Sequence, residues 1–594
     1  MYVCMYIKEI TYTEKLKDTP NELINTKDPL HSINFVNNYF ANVGKSLAEQ
    51  IKNTNNNFEP TVLKSCPNSF VLLPTDESEI GALIANLKSD SATGLDMIPA
   101  NIIKDNKNIL AKHISYICNL SFSTGVFPIA LKRSKICPIY KSGDRNCVDN
   151  YRPISILPTL SKIIERVINK RLIKYLETNN LLSTAQFGFR RNKSTSDAVQ
   201  ELIDFTVTNL DSKNKTIAIF LDLAKAFDTV SIKILLKKLE CLGIRDLQLK
   251  LFESYLTERK QCVKIENFTS EDVPVYFGVP QGSILGPTLF IAYINDLCQL
   301  VLPNAKIITY ADDTALLFSG KSWTEVFSNA QTGFDTVMNW LNENILTLNV
   351  AKTKYITFSL RNEEPDITSH KLISHKCTDH NKFNCLCPNI ERTNAIKYLG
   401  IMIDSRLSFQ QHIELLASRT RKLIYIFKNL RHVANKEIIK TVYLALGESI
   451  LSYCISTWGG TTKTLLMKLE RAQRAVLKVS LFLPFFHPTV DVYMRSTVLT
   501  VRQLYILHTV TKQHSLLMYQ PRLIEKRCRK DIICSKPSFR TSFAHRFFCY
   551  QGCSLYNKIN RVLSIYSLPN TKCKAVVREW LQNLDYVSTE NLLQ

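Results

Sequence analysis

The sequence predicts an α+β chain, an antiparallel sheet backed by helices, followed by a mostly helical and strongly basic carboxyl-terminal region. Three observations carry this. Residues 216–223 form an almost continuous apolar run of strand length that ends at Asp222, the pattern of a strand buried on both faces. Residues 306–310 and 314–318 flank the tip Ala311-Asp312-Asp313, the pattern of a hairpin with a polar turn. Beyond residue 404 the strand-like runs stop, and the remainder carries 29 basic against 10 acidic side chains.

The elements follow in order. Residues 1–75 are polar and rich in Asn and Lys, a linker segment with helical periodicity only around 29–52. An amphipathic pattern predicts a helix over 79–87, then a turn-rich stretch over 89–96, a second helix over 100–121 and a short extended piece over 135–141. After the buried strand, helices are expected over 231–242, 284–300 and 323–344, the second of them long and apolar. A polar loop rich in His and Cys over 361–390 reads as an insertion, and a second hairpin spans 395–404. The chain thus divides into the linker (1–75), an α+β unit (76–404, its core 117–404), helices over 405–480 and a basic helical extension (481–594).

Composition narrows the class. With 594 residues, 45% hydrophobic and 21% charged, the chain is an ordinary globular one, which excludes a disordered tail, a collagen-like fibre and a disulfide-stapled miniprotein. The net charge of +23 points to a polyanionic partner. It is unevenly spread: residues 101–200 carry +11, residues 201–350 carry −5 and residues 405–594 carry +19. A locally acidic centre inside basic surroundings is the layout of a cation site within an anion-binding frame. No run reaches the ~18–20 apolar residues of a membrane span, so no membrane partner is expected. The 17 scattered cysteines and the absence of a signal-like start predict an intracellular location, nucleus or cytoplasm. Cys377, His380, Cys385 and Cys387 crowd into eleven residues, but their spacing departs from common zinc folds, and zinc is not expected there.

The chemistry concentrates on three carboxylates. Asp222 ends the buried strand, and Asp312 and Asp313 lie at a hairpin tip 90 residues later. Such carboxylates are costly to desolvate and repel one another unless a cation joins them. Mg²⁺ suits that position, since it takes one or two carboxylates plus substrate phosphates. Two such ions are the machinery of in-line phosphoryl transfer.

Here the residues resemble a known family. Phe220-Leu221-Asp222-Leu223-Ala224-Lys225-Ala226-Phe227-Asp228, Gly278-Val279-Pro280-Gln281-Gly282-Ser283-Ile284-Leu285-Gly286-Pro287 and Tyr310-Ala311-Asp312-Asp313 resemble the three palm motifs of a reverse transcriptase. Upstream, Asn150-Tyr151-Arg152-Pro153-Ile154-Ser155 and Gln186-Phe187-Gly188-Phe189-Arg190 resemble fingers motifs of the non-LTR (LINE-type) retrotransposon group, jockey/CR1-like. Downstream, residues 348–354 and Lys397-Tyr398-Leu399-Gly400 resemble that group's closing palm motifs. Seven motifs stand in the right order across residues 90–404.

The resemblance implies a right-hand polymerase of fingers and palm (76–404), thumb (405–480) and an RNA-binding extension (481–594). Its reaction is RNA-directed DNA synthesis with RNA template, DNA primer or target, and dNTPs as partners. Asp222, Asp312 and Asp313 are implied as the catalytic residues, holding two Mg²⁺ ions (Mn²⁺ as the substitute) with the Leu223 carbonyl. Lys141 and Arg152 would grip the triphosphate, although a solvated basic face would present the same residue types. Gln281 and Gly282 would line the nucleotide pocket. Phe227 would exclude a 2′-hydroxyl, or simply pack at a helix start. Lys352 would donate a proton to pyrophosphate, with Lys354 competing for that role. Tyr398, Leu399 and Gly400 would steady the primer end. The aromatics Tyr425, Phe427, Tyr443, Trp458 and Tyr505 are read as core rather than as base-stacking platforms. The expected chain lacks the endonuclease domain that precedes the polymerase in this group, so target-primed synthesis would draw on an endonuclease supplied elsewhere. Two other readings stand beside the enzyme: a catalytically silent, domesticated RNA-binding relic, and a group II intron or retron-type reverse transcriptase.

Overall fold

The computed structural model describes residues 23, 28–51, 66–360, 363–366, 370–375, 387–519 and 533–593. Its central sheet runs in the order β10-β9-β3-β8-β7, from β3 (Lys215–Leu221), β7 (Ala305–Tyr310), β8 (Asp313–Gly320), β9 (Lys354–Phe358) and β10 (Glu391–Arg392). β3 pairs antiparallel with both β8 and β9, β8 with β7, and only the short β10 runs parallel, beside β9. The apolar run of β3 has a direct cause. Ile217, Ile219 and Leu221 join one core with Phe334 of the Trp323–Glu343 helix, whereas Ala218 and Phe220 join a second with Leu202 of the Thr195–Asp211 helix. A period-2 strand with helices on both faces has no solvent side to leave polar.

A second, mixed sheet has no counterpart in the sequence reading beyond the extended piece at 135–141. It comprises β1 (Arg133–Tyr140), β2 (Tyr151–Ile156), β4 (Arg259–Ile265), β5 (Phe268–Thr269) and β6 (Val273–Val275). β1 pairs antiparallel with β2 and parallel with β4. The Pro29–Glu49 helix packs on it through Ile33, Val36 and Phe40. The hairpin expected at 395–404 is present as β11 (Ala395–Tyr398) and β12 (Ile401–Asp404).

Two expected helices are interrupted. The helix expected over 284–300 stops as Gly286–Tyr293 and continues as a 3-10 turn, Asn295–Gln299. The carbonyl of Tyr293 accepts from Lys238 Nζ (2.6 Å), Asp296 pairs with Lys238 (2.7 Å), and Asn295 exchanges hydrogen bonds with Leu181 and Ser183. Those buried bonds replace the next helical turn. The helix expected over 100–121 is divided at Asn106, whose side-chain amide turns back to the Ile102 carbonyl (2.9 Å).

After β12 the described chain is helical, led by the paired Gln410–Leu430 and Lys463–Ser480 helices. Their apolar faces extend the second core, so it runs without interruption from the sheet to Leu581. Trp458 and Tyr505 are buried there, and Phe427 and Tyr443 in a separate cluster with Leu423 and Val476, whereas Tyr425, also read as core, is exposed on the outer face of its helix. Among the described residues no helix is long and apolar enough to cross a membrane.

Candidate active site

Asp222 leaves the sheet directly after β3. Its backbone N–H donates to Thr353 Oγ1 (3.2 Å), and its carbonyl accepts from the N–H of Asn349 (2.8 Å). With the bridge between Leu223 and Leu348, the 347–353 segment clamps the strand end from one side. On the other side β8 brings Thr314 opposite Leu221, so the β7–β8 turn arrives beside Asp222.

That turn is tight. Tyr310 pairs with Asp313, leaving only Ala311 and Asp312 in the bend, and Ala311 has a φ of 56°. Alanine rarely adopts the left-handed region, and the bend is held from outside. The buried Gln186 accepts from the N–H groups of Ala311 (3.1 Å) and Gly188 (2.7 Å) through its Oε1. Phe187 N–H donates to the Thr309 carbonyl and Thr309 N–H to that of Ala185. A Cβ on Gly188 would stand 2.4 Å from the Ala311 nitrogen. The 186–190 motif is therefore a buttress for the aspartate turn, a role its polar and aromatic composition does not announce.

Asp312 and Asp313 are exposed at the turn, with enough protein around them to desolvate their carboxyls in part, and Asp313 lines the cleft. Burial first, and then the charges of Asp312 and Asp222, push the Asp313 carboxyl up to about 6. Asp312 is raised by burial and then by the Asp222 charge, while Arg152 and Lys141 oppose the shift in both. Lys141 lies opposite Asn150, and Arg152, two residues on, falls on the same face of the β1–β2 hairpin. Burial, then Arg152 and Lys352, lower the Lys141 ammonium, and Asp222 opposes them. Lys141 and Arg152 thus act on both aspartates of the turn, and Asp222 acts on Lys141. Lys225, at a φ of 50°, ties the Asp222 loop to this hairpin by donating to the Asp149 (3.1 Å) and Tyr151 (3.5 Å) carbonyls.

A cavity of about 480 Å³ opens between these groups and the β11–β12 hairpin, lined by Asp222, Asp313, Lys352, Lys354 and residues 395–400. The hairpin turn needs φ above zero at both Leu399 (43°) and Gly400 (87°), and Tyr453 Oη donates to the Leu399 carbonyl (2.6 Å). Tyr398 is buried against Phe220, ring centroids 5.0 Å apart. Lys354 is paired with Glu391 (2.9 Å), whereas Lys352 makes no ion pair with a described residue.

The loop of residues 278–287 crosses β2. Gly282 has a φ of 130°, and a Cβ there would meet the Ser155 carbonyl oxygen at 2.4 Å. The Gln281 side chain is not free toward the cleft, because its amide donates to both carboxylate oxygens of Asp228 (2.8 Å each). Burial raises Asp228 to about 6, and the Gln281 bond opposes that shift. Phe227 stacks on Phe290 at 4.3 Å and meets Phe189 edge-on at 6.4 Å.

Among the described residues no three His, Cys, Asp or Glu side chains converge into a ready-made metal cage. The open donor set nonetheless fits a hard divalent ion. Asp222 and the Asp312–Asp313 pair supply carboxylate oxygens that repel one another, and Mg²⁺ characteristically completes its shell with water and substrate phosphates. Cys377, His380 and Cys385 lie outside the described residues.

Comparison with known proteins agrees with this geometry. Residues 139–403 match the family of reverse transcriptases (RNA-dependent DNA polymerases). The chain is 30% identical over 440 residues to the RNA-directed DNA polymerase from mobile element jockey of Drosophila melanogaster, covering 72% of this chain and 46% of that protein. It is 28% identical over 498 residues to the probable RNA-directed DNA polymerase from transposon BS of the same organism, covering 81% and 51% respectively. The chain spans about half the length of the curated relatives it matches. With the motifs in order and the aspartates on adjoining strand ends, the chain belongs to the reverse transcriptases of the jockey-like non-LTR retrotransposons.

Proposed function

We propose that this chain is an RNA-directed DNA polymerase that joins a dNTP to a primer 3′-hydroxyl on an RNA template and releases pyrophosphate. One observation supports it above the others: Asp222 and Asp313 line one cleft with Lys352, the Asp222 charge raises both Asp312 and Asp313, and Lys141 and Arg152 oppose those shifts. On this reading the mixed sheet is the fingers, the β3-centred sheet the palm, the helices over 405–480 the thumb and 481–594 an RNA-binding extension.

Asp222, Asp312 and Asp313, with the Leu223 carbonyl, would hold two Mg²⁺ ions, or Mn²⁺ in their place. Bound there, the ions supply charge neutralisation at the attacking and leaving oxygens. The remaining work belongs to the protein. Arg152 suits bidentate contact with a phosphate and Lys141 acts as a point charge. Lys352, which lines the cleft, would protonate departing pyrophosphate. Tyr398, Leu399 and Gly400 form the rigid turn on which a primer end rests, and Gly282 lets the pocket backbone approach closely. Phe227, stacked on Phe290, would stand against the nucleotide sugar.

The test is primer extension by the purified chain with Mg²⁺, dNTPs and a DNA primer on an RNA template. Extension is expected, with Asp312→Asn lowering its rate at least a hundredfold. A rate untouched by that substitution would overturn the site. Failure of a folded, template-bound chain to extend any primer would overturn the polymerase reading in favour of a silent RNA-binding protein.

A further inference from the structure

Three phenylalanines that play no part in the catalytic reading stand in solvent within the helical region. Phe482, Phe485 and Phe486 are 57%, 80% and 91% exposed, in the loop between the Lys463–Ser480 and Thr489–Ser496 helices. Burying a phenylalanine is worth ~1.5–3 kcal/mol, so three left in water within five residues mark a surface that something covers. The loop is nevertheless held in shape. Lys478 donates to the Phe485 carbonyl, His487 N–H donates to that of Pro484 (3.1 Å), and Phe485 and Phe486 meet edge to face at 5.1 Å.

Cations surround the rings. The Arg431 guanidinium lies 4.4 Å from the Phe482 centroid, fixed there by its bond to the Val479 carbonyl (3.0 Å). Lys478 Nζ stands 5.8 Å from the Phe485 centroid. The neighbouring acid, Asp491, is already paired with Arg495 and His487. Exposed rings interleaved with positive charge are what a single-stranded polynucleotide requires: planar faces for bases and cations for phosphates, with little demand on sequence. The +19 carried by residues 405–594 supplies the matching long-range field.

We propose that the 482–486 loop, with Arg431 and Lys478, is a stacking platform for single-stranded RNA. The choice of RNA rests on the polymerase reading, in which uncopied template is the single strand the protein carries. Bases stack on Phe482, Phe485 and Phe486, and the phosphates run past Arg431 and Lys478.

The test is fluorescence anisotropy of a labelled 20-nucleotide oligouridylate with the full chain, without dNTPs. Phe485→Ala/Phe486→Ala removes two outward-facing rings and is expected to weaken binding about tenfold or more while leaving the salt slope unchanged. Arg431→Ala/Lys478→Ala is expected to reduce that slope. Phe486→Trp keeps a ring and is expected to bind like the parent, with added tryptophan quenching on binding. Unchanged affinity in the double phenylalanine variant overturns the proposal. So does a loss of dimer in that variant without loss of RNA, which would assign the patch, with exposed Val490 and Met494 beside it, to a second copy of the chain. Primer extension on a template only a few nucleotides long separates the two claims. A parent that extends primers while the phenylalanine variant binds RNA unaltered fails only the platform. A parent that binds through the rings but never extends fails only the polymerase reading.

Discussion

The side chain of Gln186 accepts a hydrogen bond from the backbone N–H of Ala311 at 3.1 Å, across 125 residues of sequence. The same oxygen accepts from Gly188 N–H, so one buried amide fixes both the fingers motif and the bend that carries Asp312. Gln186→Leu leaves two buried N–H groups without a partner, at roughly 1–3 kcal/mol each. A loss of about 2–4 kcal/mol in urea unfolding is expected. The turn would relax rather than vanish, so the rate of extension is expected to fall at least tenfold while the KM for dNTP moves less than threefold. A KM effect with an unchanged rate would show that Gln186 does not act through the aspartates.

Gly282 gives a sharper steric case. Its φ of 130° and the 2.4 Å that would separate a Cβ from the Ser155 oxygen leave no room for alanine. Gly282→Ala is expected to cost about 2 kcal/mol or more and to raise the KM for dNTP, since the loop must lift off β2. Gly81 in the Glu77–Ala85 helix is the control, because nothing beyond its own stretch of helix would lie within 4 Å of a Cβ there. Gly81→Ala is expected to be neutral or to stabilise by up to about 1 kcal/mol. Equal outcomes at the two sites in a thermal melt would refute the steric account.

What the sequence discloses follows from how local its cause is. The run before Asp222 is legible because both faces of β3 are buried, so every position must be apolar. The Ala311–Asp312 bend is legible because a short polar turn between apolar strands needs no distant partner to be recognised. The mixed sheet is not, since β1 pairs with β4 across more than a hundred residues and Lys260 and Gln261 give no alternating signal of their own. The buttressing amide of Gln186, the clamp of Lys225 on the β1–β2 connection and the capture of Gln281 by Asp228 are equally silent, because each depends on a neighbour supplied by the fold. The break after Tyr293 belongs with them: only the arrival of Lys238 explains why an apolar helix stops there.

The two candidate lysines, Lys352 in the segment that clamps β3 and Lys354 just beyond it, differ in their partners. Lys354 is held by Glu391 at 2.9 Å, whereas Lys352 is exposed and lowers the Lys141 ammonium through space. Lys352→Ala is therefore expected to slow single-turnover nucleotide addition about tenfold to a hundredfold, the usual scale of a positioned general acid. Lys354→Ala removes a surface pair worth ~0–1 kcal/mol and is expected to leave addition within threefold of the parent. The reverse ranking in rapid-quench measurements would move the proton-donor role to Lys354.

Asp204 links the Thr195–Asp211 helix, through Gln200, to Thr457 in the later helical region. Gln200 donates to its Oδ1 at 2.8 Å and accepts from Thr457 at 2.9 Å, and burial raises the Asp204 carboxyl to about 6 against the pull of Gln200, Lys512 and the Cys549 thiol. A carboxyl with a folded value above its unfolded 3.8 holds its proton more tightly in the native state. Its contribution is therefore fully present below about 4 and is lost as pH rises through about 6, because there the native state binds more protons than the unfolded one. Asp204→Asn removes that titration. The melting temperature of the parent minus that of the variant is expected to fall between pH 4.5 and 7 and then to level. Asp228 and Asp313, also raised to about 6, titrate in both proteins and cancel in the difference. A difference that grows with pH would mean that Gln200, Lys512 and Cys549 outweigh burial, and that Asp204 makes this link as a stabilised anion.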